Sequence, residues 1–213
     1  MLDDEVNEVR IATADIVNRH ILPVEDKLYA RSNDGRSPTK DSIEEARELR
    51  NEVQKRVKEA KLWAPHLPPE FGGMGLSFMQ HAYMNEILAY SPGAAPLFGV
   101  VAPNSGNQKI LVKYGTPEQH EKWLIPLTEG RMQSGFSMTE PMNAGSDPRS
   151  LTTRAELDGD EWVINGHKWF TSNGHAADFY IVMCRTSDPD ETGGVNEKMT
   201  QIIVPKSTPG VNV

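Results

Sequence analysis

Apolar positions near the start of the chain fall mostly three, four or seven residues apart: Val6, Val9, Ile16, Val17, Leu22 and Val24. That spacing lays an apolar stripe along one face of a helix, with Asp3 and Asp4 as candidate N-caps and Pro23 as its kink or end. Asn33-Asp34-Gly35 is a turn signal, and Pro38 cannot continue a helix, so the pattern predicts a second helix from about Thr39. Its Ile43, Ala46, Leu49, Val53, Val57 and Ala60 step by three and four, while Glu, Arg and Lys fill the solvated face. The Pro- and Gly-dense run from Pro65 to Gly75 excludes regular structure there. A third helix is predicted from Ser77 through Tyr90, broken by Pro92-Gly93, and a fourth from about Phe98 to Tyr114. Gly115 suits a C-cap, and Thr116 with Pro117 suits the N-cap and first position of a fifth helix, ending near Gly130.

Beyond Gly130 the texture changes to short runs of strand type. These are Ser134 to Met138, Thr152 to Leu157, Trp162 to Asn165, Trp169 to Ser172, Phe179 to Cys184 and Gln201 to Val204. Asp158-Gly159 between two of them is a hairpin signal, and the polar stretch Ser187 to Glu197 reads as a surface loop. Helices first and strands second predict an α+β chain rather than alternating βαβ units. The expected layout is an all-α helical bundle over residues 1–131, then an antiparallel β-barrel or sandwich over residues 132–213.

Composition narrows the function classes. A formal charge of -8 argues against a nucleic-acid partner, and no apolar run has the length of a membrane span. Cys184 is the one cysteine, so no intrachain disulfide or cysteine metal cluster can form. His20, His66, His81, His120, His167 and His175 lack metal-ligand spacing, and no metal is expected. The acidic start is unlike a signal or transit peptide, which points to the cytoplasm or an organelle matrix. No glycine-rich phosphate loop supports a Rossmann or P-loop reading.

Two segments carry candidate chemistry. In Phe136-Ser137-Met138-Thr139-Glu140-Pro141, continuing through Met142-Asn143-Ala144-Gly145-Ser146-Asp147, a strand ends in a turn of small and hydroxyl residues. Such a turn can meet the polar edge of a heterocycle, or be no more than a strand-turn-strand with a hydroxyl-stabilised turn. In Gly166-His167-Lys168-Trp169-Phe170-Thr171-Ser172-Asn173-Gly174, paired aromatics precede hydroxyls. That order suits a flat ring covered on one face and bonded at its edge; core aromatics in a strand fit equally well.

The first segment resembles the Thr-Glu-Pro…Gly-Ser-Asp motif of the acyl-CoA dehydrogenase family, and the second its Lys-x-aromatic-x-Thr/Ser-Asn segment. Pro68-Pro69-Glu70-Phe71-Gly72-Gly73-Met74-Gly75 and Tyr114-Gly115-Thr116-Pro117-Glu118-Gln119 resemble its helical domain, in the same order. The resemblance implies FAD as cofactor and an acyl-CoA thioester as substrate. Phe136, Met138 and Thr139 would contact the isoalloxazine, with Gly145 and Ser146 at the edge shared by flavin and acyl-CoA, and Ser146 the substrate contact. Anchoring the second segment on Asn173-Gly174 places Phe170 over the flavin and Ser172 near its reactive nitrogen, with Thr171 between; anchoring on Lys168 nominates Trp169 and Thr171 instead. Met142-Asn143-Ala144 makes the loop one residue longer than in several relatives.

In the family a carboxylate base takes the α-proton while a β-hydride passes to the flavin. The resemblance puts that base in a C-terminal helical domain, so no catalytic residue is expected in this chain. Glu140 is the tempting substitute, but it belongs to the motif's turn. The middle β domain is accordingly expected to be incomplete and the C-terminal domain absent. Electron-transfer flavoprotein or another acceptor, and homo-oligomer assembly of the complete enzyme, are also implied. Rival readings are an acyl-CoA oxidase or nitroalkane-type oxidase on the same scaffold, and a non-enzymatic flavin- or acyl-CoA-binding module. Residues 1–213 alone, given FAD, an acyl-CoA and an acceptor dye, are expected to leave the dye unreduced and to hold FAD weakly. Steady bleaching above background would place a base within this chain.

Overall fold

Thr39 opens the longest helix. Its hydroxyl accepts the Ser42 N–H at 3.1 Å, satisfying one of the donors that every helix start leaves over. The computed structural model describes residues 4–29, 37–187 and 198–213, so Asp3, the Asn33-Asp34-Gly35 turn and most of the loop read from Ser187 to Glu197 lie outside the described residues. Helices α1 (Asp4–Ile16) and α2 (Lys40–Glu59) follow the predicted stripes, burying Val6, Thr13 and Ile16 in the first and Ala46, Val53 and Val57 in the second. After α1 the backbone widens into a π-helical turn, Val17–Ile21, then tightens to a 3₁₀ turn at Leu22–Val24, where Pro23 has no N–H to give. Helix α3 (Phe78–Leu88) begins with a reciprocal cap: the Ser77 hydroxyl accepts the Gln80 N–H, and the Gln80 side chain accepts the Ser77 N–H.

The helix predicted from about Phe98 to Tyr114 starts later, at Asn104, and a separate short helix lies before it. Helix α4 (Ala94–Leu97) stops at Phe98, and α5 (Asn104–Tyr114) starts afresh. Gly99 between them takes φ +74°, and a Cβ there would meet the Trp63 ring at 3.1 Å. Close packing of backbone on an indole, invisible to helical periodicity, decides the break. Thr116 and Gln119 form a second reciprocal cap at α6 (Pro117–Gln119), which continues through a π-helical turn, His120–Leu124, into α7 (Ile125–Glu129). Gly130, at φ +81°, ends it.

The chain forms two compact units, residues 1–101 with 112–120, and residues 102–111 with 121–213. The first has a core of Ile16, Val17, Ile21, Leu28, Val57, Met84, Leu88 and Phe98, built where α1, α2 and α3 meet. The second holds a five-stranded sheet: β1 (Ser134–Ser137), β2 (Arg154–Asp158), β3 (Glu161–Asn165), β4 (Phe179–Arg185) and β5 (Met199–Pro205). The α+β class is as the sequence indicates, but the sheet is mixed, not antiparallel throughout. β4 is central, with β5 antiparallel along one edge, β1 parallel along the other, and β2 touching it parallel at Arg154–Arg185. Among the described residues β2–β3 is a tight hairpin, turning at Gly159 with φ +62°. Turn chemistry in sequence reports such hairpins; it carries no trace of parallel partners far along the chain. β4 fits its central place, with Phe179, Tyr180, Ile181 and Cys184 buried.

Phe98 is fully buried in the helical core. Phe98→Ala is expected to cost about 3–5 kcal/mol by loss of burial plus the cavity left behind. Urea unfolding monitored by circular dichroism measures it, and a loss below about 1 kcal/mol would mean the core is not organised around this ring.

Candidate functional site

The first turns of α5 bury Asn104, Asn107 and Gln108, residues that helical periodicity assigns to water. The Asn107 amide donates to the Ser134 hydroxyl at 2.8 Å and the Gly135 carbonyl at 3.1 Å. The Asn104 carbonyl oxygen accepts the Ser134 N–H at 2.9 Å, and its amide donates to Gln133 at 2.8 Å. These bonds hold the entry to β1, and buried amides so paired are structural fixtures. Gly135 is required for the next step, since a Cβ there would stand 2.7 Å from the Tyr180 ring.

Residues 168–173 run antiparallel beside β1 and its continuation. Phe136 bridges to Ser172. The Trp169 N–H donates to the Thr139 carbonyl at 2.7 Å, and the Lys168 ammonium to the Met138 carbonyl at 2.9 Å. In this register Ser137 faces Thr171, their hydroxyls 3.2 Å apart, and the Asn173 amide closes the far end on the Ser134 carbonyl at 3.1 Å. The run Trp169 to Ser172 is nevertheless no regular strand, because Phe170 takes φ +52° and breaks the pleat. The kink stacks the Trp169 and Phe170 rings, centroids 4.7 Å apart and planes 12° apart. Both rings face water, Phe170 at 75% exposure. A strained, exposed aromatic held by its neighbours is a platform shaped for something flat.

The ladder sorts the candidates by face. Paired residues project to the same side of a sheet, so Ser172 accompanies Phe136, while Thr171 accompanies Ser137 on the other side. Phe136, Met138, Thr139 and Phe170 to Ser172 are thus brought together. Gly145 joins through Thr139, whose methyl group would lie 3.1 Å from a Cβ at Gly145, and Ser146 follows on an exposed turn.

Beneath this surface Glu140 is buried, 4% exposed, and six donors converge on its carboxylate. Oε2 accepts the Thr152 N–H and hydroxyl, both at 2.7 Å, and the Asn143 amide at 2.5 Å. Oε1 accepts the Thr153 N–H at 2.8 Å, its hydroxyl at 2.6 Å, and the Lys168 ammonium at 2.9 Å. Burial pushes the Glu140 carboxyl upward, but the bonds from Thr153, Lys168 and Thr152 outweigh it and hold the group well below the usual carboxylate range. A carboxylate so saturated is a poor proton acceptor, and this removes Glu140 as a substitute base. Asn104, Asn107, Asn143, Thr152 and Thr153 escape sequence reasoning, because nothing in their local pattern marks them as partners of distant polar groups. Lys168 alone had a signal, as the cation fixed at the head of the aromatic segment.

Comparison with known proteins identifies the family. The acyl-CoA dehydrogenase N-terminal domain matches residues 3–131, and the acyl-CoA dehydrogenase middle domain matches residues 135–213. The chain belongs to the acyl-CoA dehydrogenase family. A Mycobacterium tuberculosis protein, FadE2, named as a probable acyl-CoA dehydrogenase, is 35% identical over 97% of this chain and 49% of its own length. A solved structure from Mycobacterium abscessus, also named for this activity, superposes with a TM-score of 0.86 at 32% identity, covering 99% of this chain and 52% of that one. A glutaryl-CoA dehydrogenase from Mycobacterium smegmatis, solved in complex with FADH2, shares the fold at 23% identity and a TM-score of 0.69, over 98% of this chain and 47% of that one. The chain therefore spans about half the length of these relatives. No helix among the described residues is long and apolar enough to cross a membrane.

The depressed Glu140 pKa has a signed consequence. The unfolded chain binds this proton at about pH 4.3, the folded chain only at lower pH, so the stabilisation is complete above that value and fades as pH falls through the folded pKa. Wild type is expected to exceed Glu140→Gln in urea midpoint at pH 7, with the gap narrowing at pH 3, both midpoints read by circular dichroism. A gap that widens on acidification would contradict the arrangement.

Proposed function

We propose that this chain is the flavin- and substrate-binding part of an FAD-dependent acyl-CoA dehydrogenase, acting in the α,β-dehydrogenation of an acyl-CoA thioester. One observation carries the reading: an exposed, stacked Trp169–Phe170 pair, fixed beside Thr139 and Ser172 by a ladder of hydrogen bonds. The donor set fits a flavin, with hydroxyls and main-chain groups at a ring edge and an aromatic surface for its face. FAD, when bound, supplies the hydride acceptor. The chain's own part is to hold and orient. Phe136, Met138 and Thr139 line the ring from the extended β1 strand, while Phe170 covers it and Ser172 reaches its edge. The shared face of Phe136 and Ser172 supports Ser172 over Thr171, whose hydroxyl is engaged by Ser137 on the opposite side. Gly145 brings its loop against Thr139, and Ser146 presents a hydroxyl to the thioester. Residues 1–131 serve as the N-terminal helical domain and 132–213 as part of the middle domain, a division supported by the ranges the family domains match.

Thr139→Val keeps the shape of the side chain and removes its hydroxyl. In the flavin-loaded enzyme it is expected to weaken FAD binding or slow flavin reduction by the equivalent of about 1–3 kcal/mol, because a polar atom of the ring loses its partner. Fluorescence titration with FAD and stopped-flow reduction by an acyl-CoA measure the two effects. Unchanged values for both would count against the assignment.

A further inference from the structure

The pattern of bonds around Glu140 reaches further than stability. Its six donors come from three separate stretches of chain: Asn143 in the loop that leads to Gly145 and Ser146, Thr152 and Thr153 at the entry to β2, and Lys168 at the head of the aromatic segment. Glu140 itself directly follows Thr139. Lys168 bonds Glu140 and the Met138 carbonyl together, so one cation sets the spacing between the extended β1 strand and the segment carrying Trp169 and Phe170. Its side chain is 10% exposed and that of Glu140 3%, which leaves neither group water as an alternative partner. Gly166 closes the arrangement from behind: a Cβ there would lie 2.2 Å from the Thr153 hydroxyl.

We infer that Glu140 is the positioning residue of the site, its carboxylate fixing the flavin-facing strand, the aromatic segment and the Met142–Ser146 loop in one geometry, with Asn143 as the arm that reaches the thioester loop. This rests on the proposed flavin and acyl-CoA function. Glu140 acts through its neighbours and touches neither cofactor nor substrate. Lys168 serves the cofactor side through the Met138 carbonyl. Asn143 serves the substrate side, because it bonds Glu140 and, at 3.3 Å, the Thr152 hydroxyl across the base of the loop. The two arms therefore have separable effects.

The test uses the flavin-loaded enzyme and its variants. Glu140→Gln keeps the shape but removes the charge that holds Lys168; it is expected to raise the FAD dissociation constant and the KM for acyl-CoA, each about tenfold. Asn143→Ala is expected to raise KM about threefold or more with FAD affinity and kcat unchanged, a split that a general loss of packing would not produce. If Glu140→Gln does not fold, Glu140→Gln/Lys168→Met decides for the cofactor arm: with both charges gone it keeps a neutral interior, yet is expected to bind FAD about tenfold more weakly. Wild-type FAD affinity in whichever Glu140 variant folds, or a wild-type KM in Asn143→Ala, would overturn the inference. A wild-type protein that neither binds FAD nor oxidises an acyl-CoA would instead sink the functional reading, and this inference with it.

Discussion

A carboxylate taken out of water must be answered by donors, and at Glu140 the answer comes from three stretches of chain at once. Leaving any of those donors unmatched, or the charge itself unpaired, would be costly in a low-dielectric interior. The extended β1 strand, the start of β2, the Lys168 segment and the Met142 loop are consequently not independent. The first carries the carboxylate, each of the others is held where its donor reaches the same two oxygens, and the chain outside this cluster has to connect those fixed points.

The other end of β1 is held by a second polar knot of different chemistry. Asn104 and Asn107 reach from α5 to Ser134 and Gly135, and Asn173 reaches from the aromatic segment to the Ser134 carbonyl. A four-residue strand has too few ladder bonds to define its own position, so side-chain amides at the entry and an ion pair at the exit define it instead. Between the two knots, Gly135 allows the strand to lie flat against the Tyr180 ring.

That double anchoring explains how an unfavourable feature persists. Phe170 is both left-handed at φ +52° and largely exposed, two conditions an aromatic residue avoids when free to choose. Lys168 and Asn173, fixed on either side, leave the intervening residues no other path. Strain kept in place by surrounding bonds, next to an open aromatic surface, is the expected form of a site prepared in advance for a ring system. Membership in the acyl-CoA dehydrogenase family and the proposed flavin role meet at this point of the structure.

What the sequence determined by itself was local. Caps at Thr39, Ser77 and Thr116, the amphipathic stripes of α1 and α2, the stop at Gly130 and the hairpin at Gly159 all follow from interactions within a few residues, so they are legible in order along the chain. The two chemical segments were legible too, because the resemblance is carried by consecutive residues. Only the tertiary structure decided that Gly99 packs against Trp63 between two helices, that β1 and β4 run parallel, that asparagines of α5 are buried, and that Glu140 is a buried anchor instead of a base. Each of these depends on partners distant in sequence. Periodicity records which face of an element prefers water; it does not record which distant donor will meet a polar group once that face is covered.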